Sequence, residues 1–268
     1  MDSDVAAAPQ PPGGLPPGLT RGLLIAEVLL VLALSLGRSG VYAVVDFIAD
    51  LTNKAALSSQ SAVLNGSRAP GRPWLDLDLQ LLAIAFALAP VFLVAYLLRR
   101  SGESLRTIGL DRTEPRRDAA RGAVLAAVIG GSGLALYLVA HASGVNLTVV
   151  AEDLPDVWWR IPVLVLSAVQ NALLEEVVVV GYLMRRLSQL GWGPRSTLVT
   201  SALVRGSYHL YQGVGGFAGN AVMGLVFGRL YQRWGRVAPL LVAHALIDTV
   251  AFVGYAVLAG HVSWLPTP

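Results

Sequence analysis

The stretch from Ile161 to Leu187, IPVLVLSAVQNALLEEVVVVGYLMRRL, decides how this chain is read. Up to Met184 its only charged side chains are Glu175 and Glu176, and the rest is apolar enough to lie in a bilayer. At about 1.5 Å of rise per residue such a helix covers a hydrocarbon core of about 30 Å. An acidic side chain at that depth costs about 2.5 to 3.5 kcal/mol on insertion scales, so an intramembrane carboxylate points to function and two in succession sharpen the point. Polar residues recur in the apolar segments that follow, as Arg205 and His209, Asn220, and His244 with Asp248. The expectation is that they converge inside one bundle as a catalytic centre.

Working outward, 54% of the 268 residues are hydrophobic, only 14% are charged, and the mean hydropathy is +0.60. That is a membrane protein, and the expected fold is an all-α, polytopic transmembrane bundle. Apolar segments run over 22–49, 76–98, 119–140, 161–184, 197–212, 214–231 and 237–259. They predict seven helices, or eight if the first, which holds Arg38 and Gly40, is broken in two. The net charge of +3 does not imply nucleic acid, because the arginines cluster at the ends of apolar segments. With no cysteine, disulfides, thiolate zinc sites and a cysteine nucleophile are excluded. Lys54 is the only lysine beside abundant arginine and alanine, a bias associated with GC-rich bacterial genomes.

Residues 1–20, rich in proline and glycine, are expected to form a disordered tail. The first apolar run begins only after Arg21, so its helix should be retained rather than cleaved as a signal peptide. Residues 21–150 are read as N-terminal helices with a basic loop, 151–260 as the catalytic core, and 261–268 as a short extracytoplasmic tail. Arginines are densest between Arg99 and Arg121, which the positive-inside rule places in the cytoplasm. Alternation from there puts Arg185, Arg186, Arg195, Arg229, Arg233 and Arg236 inside as well. The expected location is the inner (plasma) membrane, multi-pass, with a cytoplasmic N-terminus and an extracytoplasmic C-terminus. His141 and His261 then fall in outer loops as solvated bystanders.

His244 and Asp248, spaced i and i+4, share one helix face and can point into one cavity, or merely hydrogen-bond to each other. Arg205 and His209 have the same spacing, and a buried arginine needs a counter-ion, for which Glu175 or Glu176 is the candidate. Asn171, one turn before Glu175, and Asn220 are further cavity candidates. The glycines around Asn220, among them Gly224 and Gly228, read as a close-packing stripe rather than a phosphate loop.

Three of these clusters together resemble the membrane-embedded CAAX-protease and bacteriocin-processing family, which includes the prenyl-protein endoproteases of eukaryotes. That family carries Glu-Glu-x-x-x-Arg, Phe-x-x-x-His and His-x-x-x-Asn or Asp on successive helices. This chain has Glu175-Glu176-Val177-Val178-Val179-Val180, then Arg205-Gly206-Ser207-Tyr208-His209, then His244-Ala245-Leu246-Ile247-Asp248. Valine replaces the arginine of the first motif and Arg205 the phenylalanine of the second, as though a neighbouring helix supplied the lost cation.

The resemblance implies an endopeptidase acting on a membrane-associated peptide or protein. Glu175 would be the general base, His209 would help to hold the attacking water, and His244 with Asp248 would serve the oxyanion, Asp248 by orienting a His244 donor. Glu176 would be the charge partner of Arg205. No metal is expected, because the compact His-Glu-x-x-His spacing is missing; if zinc were present, Glu175, His209 and His244 would hold it. A proton-coupled transporter and an inactive membrane scaffold or immunity factor are the alternatives.

Overall fold

The computed structural model describes residues 14–265, so most of the expected N-terminal tail and the last three residues lie outside the described residues. Thr20 caps the first helix by accepting the Leu23 amide at 3.3 Å. That helix, α1 (Arg21–Ala33), meets α2 (Leu36–Thr52) at a bend of 53°. The Ser35 hydroxyl at the break donates to the Val31 carbonyl at 2.5 Å, an i to i−4 bond that bends helices. Next come α3 (Pro73–Ala87) and α4 (Ala89–Arg100), parted at Leu88, where Pro90 has no amide to continue the ladder. A long α5 (Pro115–Ala142) follows.

The stretch from Arg160 to Gln189 folds as one helix with an altered centre. Residues α6 (Arg160–Glu175) lead into a π-helical segment, Glu176–Leu183, and then α7 (Met184–Gln189). Every residue of the π segment is buried, as expected of a segment apolar on all sides at the middle of a bundle. Val177, Val178, Tyr182 and Leu183 pack towards α1 and α4, whereas Val180 packs with Met184, Phe227 and Leu240. The chain closes with α8 (Pro194–Ser207), a turn, α9 (Val214–Trp234) and α10 (Ala238–Leu258). Helix α8 pairs with α9, and α10 lies against α5 and α6.

The helical class stands, but the span count changes. Among the described residues four helices are long and apolar enough to cross a membrane: Pro73–Arg100, Pro115–Ala142, Arg160–Gln189 and Ala238–Leu258. The bent α1–α2 pair makes a fifth. Helix α8, read from its composition as a span, has only 14 residues, about 21 Å of rise. Helix α9 has the length, at 21 residues, but Asn220, Arg229 and its glycines make it too polar.

The fold is also not purely helical. Ser61–Val63 (β1) and Thr148–Val150 (β2) pair in parallel, Ala62 opposite Val149, and join the two loops expected on the outer side. Strands of three residues are too short to show a period in the sequence. His141, expected to be solvated, is half-buried beside this sheet with its Nε2 2.9 Å from the Thr148 hydroxyl. His261 is exposed.

Candidate active site

The π segment places both glutamates against α8. One turn before Arg205, the buried Ser201 hydroxyl donates to the Val179 carbonyl at 3.0 Å, which fixes the register of the two helices. Gly224 of α9 permits this crowding, since a Cβ there would lie 2.9 Å from the Ala202 Cα and 3.2 Å from the Arg205 side chain. Arg205, fully buried, enters between the glutamates: Nη1 is 2.8 Å from Glu176 Oε1 and Nη2 is 3.2 Å from Glu175 Oε2. The Nη1 contact has the distance of an ion pair but a poor hydrogen-bonding angle, and Arg205 Nε and Glu176 Oε2 are buried without a hydrogen-bond partner. The guanidinium also lies 5.3 Å from the centre of the Phe227 ring.

Helix α8 ends at Ser207, and His209 sits in the turn that follows. Its Nδ1 faces the Arg205 carbonyl at 3.0 Å; a carbonyl only accepts, so Nδ1 carries the proton and satisfies one of the orphan acceptors at the helix end. The remaining nitrogen, Nε2, faces Glu175 Oε1 at 4.0 Å. That gap is too wide for a direct hydrogen bond. The other oxygen of Glu175 accepts from the hydroxyl of Tyr208, buried, at 2.8 Å.

From α10, His244 reaches the other side of the cluster. Its Nδ1 lies 2.8 Å from Glu176 Oε1 and 3.1 Å from Arg205 Nη2, and its Nε2 lies 3.6 Å from Asp248 Oδ2. Arginine can only donate, so the short contact to the carboxylate assigns the Nδ1 proton to Glu176 and leaves the arginine contact electrostatic. Asn171 of α6 donates to Asp248 Oδ2 at 3.3 Å. The structure thus brings Glu175, Glu176, Arg205, His209, His244, Asp248 and Asn171 into one continuous cluster. Asn220 stays apart, donating at 3.0 Å to the Gly216 carbonyl of its own helix.

Among the described residues no three carboxylates or imidazoles converge as metal ligands.

Two participants are not evident from motif spacing. Tyr208 carries no motif, although a tyrosine buried in an apolar segment needs a partner for its hydroxyl. Glu27 of α1 is an acid inside the first apolar run, and it anchors a second buried ionic cluster. It accepts from Tyr182 at 2.8 Å and pairs with Arg186 at 3.1 Å and Arg100 at 2.8 Å. Arg186 is fully buried and also meets Glu103 at 2.7 Å, so it knits α1, α4 and α7 together instead of simply facing the cytoplasm.

Residues 157–250 match the family model described as type II CAAX prenyl endopeptidase Rce1-like. Over this stretch the chain is similar to Rce1-like endopeptidases. The matched segment opens three residues before α6 and closes within α10, so it contains the whole cluster from Asn171 to Asp248. Helices α1 to α5 lie outside the match. No curated protein and no solved structure matches the chain. That similarity supports a protease, and the apolar helices fit a membrane protein.

Proposed function

We propose that the chain is an intramembrane endopeptidase that hydrolyses a peptide bond of a membrane-associated substrate with a water activated by Glu175 and His209. The observation that carries this reading is the pair of acceptors at 4.0 Å, Glu175 Oε1 and His209 Nε2, each fixed from behind. Tyr208 and Arg205 hold the carboxylate, and the Arg205 carbonyl holds the ring. One water donating to both acceptors would aim its lone pair at a carbonyl carbon. Glu175 takes the proton as the C–O bond forms and returns it to the leaving amine.

Opposite, Nδ1–H of His244 donates to Glu176, and the doubly protonated ring, flanked by Glu176 and Asp248, presents its Nε2–H to the tetrahedral oxygen. Asp248, held by Asn171, orients that donor and does not itself touch the oxyanion. Arg205 keeps two adjacent carboxylates together, the service that an arginine at position 180 gives in the family pattern. The proposed reaction uses no metal. The proposed orientation is that read from the arginines: inner membrane, N-terminus in the cytoplasm and C-terminus outside.

The test is cleavage of a quenched-fluorescent peptide library by detergent-purified protein, comparing wild type with Glu175→Ala and His209→Ala, with and without a zinc chelator. Both variants should lose about 100-fold or more, the scale of a general base, and chelator should change nothing. Chelator sensitivity overturns the metal-free mechanism. Site variants that leave a cellular phenotype intact would instead favour the scaffold reading.

A further inference from the structure

Outside the motif cluster, the bend between α1 and α2 leaves a groove of ≈ 470 Å³ against the turn that follows α8, lined by Arg38, Ser39, Tyr42, Asp46, Tyr208 and Tyr211. Two observations tie it to the catalytic carboxylate. Tyr208 forms part of its wall and hydrogen-bonds to Glu175 at 2.8 Å. Helix α2 also abuts the end of α8, since a Cβ on Gly40 would meet the Ser207 hydroxyl at 2.7 Å. Whatever lies in the groove is one side chain away from Glu175.

The charge of the groove is the informative part. Arg38 is exposed on a helix that belongs to a membrane span, and among the described residues it forms no ion pair and no hydrogen bond. It stands 17 residues after Arg21 and 14 before Thr52, inside a helix pair that is apolar enough to count as one span though bent by 53°. A cation without a counter-ion inside an apolar segment is costly. Asp46, its neighbour in the groove, is eight residues on, about 12 Å away along the helix, too far to neutralise it. An extended peptide of about three to four residues fits between them.

We propose that this groove docks the substrate peptide and that Arg38 pairs with a carboxylate of that peptide, while Asp46 disfavours a second acid at the far end. Guanidinium and carboxylate match as a two-pronged, charge-assisted pair, so Arg38 selects the substrate and takes no part in the chemistry. This inference rests on the peptidase reading above.

Binding is measured on full-length protein in detergent carrying Glu175→Gln, which leaves peptides uncut. The probes are three fluorescein-labelled peptides of one neutral sequence: with a free carboxyl terminus, with a terminal amide, and with the amide plus one internal glutamate. At least one acidic peptide should bind about tenfold or more tighter than the neutral amide, and Arg38→Gln should erase that difference while leaving the amide peptide within about twofold. Which acidic peptide gains tells a terminal from a side-chain carboxylate. Equal binding of all three, or a preference that survives Arg38→Gln, overturns the proposal.

The chain has no cysteine, so Ser39→Cys supplies a single thiol in the groove whatever becomes of Arg38→Gln. Bound acidic peptide should slow its maleimide labelling about fivefold and leave Ser143→Cys, exposed at the far end of α5, unaffected. No protection overturns the groove as the docking site. If wild type hydrolyses no peptide while Arg38-dependent binding persists, the peptidase reading fails alone. If peptides are hydrolysed with a KM indifferent to Arg38→Gln, the groove fails alone.

Discussion

Replacing Arg205 by phenylalanine tests the charge logic of the site most directly. The guanidinium is fully buried, 2.8 Å from Glu176 and 3.2 Å from Glu175, so its removal strips both carboxylates of the cation they share. Breaking a buried pair in this way costs about 3 to 5 kcal/mol. Val180 lies one turn beyond Glu176 and shares Phe227 with Arg205, so an arginine placed there can approach the same carboxylates from their own helix. Val180→Arg alone should destabilise, because it overpacks a fully buried site and adds a second cation. Combined with Arg205→Phe it exchanges one cation for another and should recover all but about 1 to 3 kcal/mol, the usual cost of overpacking. The coupling in the double-mutant cycle should therefore reach about 2 kcal/mol or more. Denaturation of the detergent-solubilised protein, followed by tryptophan fluorescence, reads all four corners. An Arg205→Phe variant as stable as wild type, or a double variant no better than the sum of the singles, would refute the argument.

Tyr208→Phe removes the hydroxyl bonded to Glu175 and should lower kcat about tenfold with little loss of stability, read from peptide hydrolysis beside a melting curve. Glu27→Leu takes a partner from the fully buried Arg186, which keeps Glu103, and from the Tyr182 hydroxyl, and should destabilise by about 1 to 3 kcal/mol, yet the protein that remains folded should keep its KM, because this cluster lies apart from the site. In the loop before α5, hydrogen bonds from Thr113 and then from Arg236 hold the Asp111 carboxyl well below its ordinary 3.8. A lowered folded-state value stabilises above the unfolded value and is lost as pH falls through the folded one. Arg236→Ala should therefore melt below wild type at pH 7, with the gap narrowing from pH 4 downwards; a gap that widens in acid would contradict the assignment.

What the sequence discloses about this site follows from the cost of burying polar groups in lipid. Glu175, Glu176, Arg205, His209, His244 and Asp248 stand out because each is expensive in an apolar helix, and expense of that kind is relieved mainly by mutual contact. The same rule applied evenly would have flagged Glu27, the one acid among the apolar residues of α1. Depth along straight helices misleads for His209. Counted at 1.5 Å per residue from Arg195 it lies about 21 Å in, well beyond Glu175 at about 16 Å from the other arginines. In the structure α8 stops at Ser207 and the turn brings the ring back to 4.0 Å from Glu175. The two-stranded sheet and the polar α9 escape notice because neither leaves a periodic or strongly apolar signal.

The π segment is the feature that sequence conceals. Adjacent residues on a helix point about 100° apart, and Glu175 and Glu176 do face different neighbours, Tyr208 and His209 for the first and His244 for the second. Here the ladder widens from i→i+4 to i→i+5 at Glu176, and both carboxylates meet one guanidinium. Wide turns of this kind are rare and concentrate at functional sites. The arrangement divides the labour between two like residues. Glu176 is fully buried and committed to Arg205 and His244, whereas Glu175 turns one oxygen to Tyr208 and Arg205 and the other towards His209. A carboxylate spent on structure can hold a cation next to one left free for a proton, which is the condition for Glu175 to act as a base in a medium that disfavours its charge.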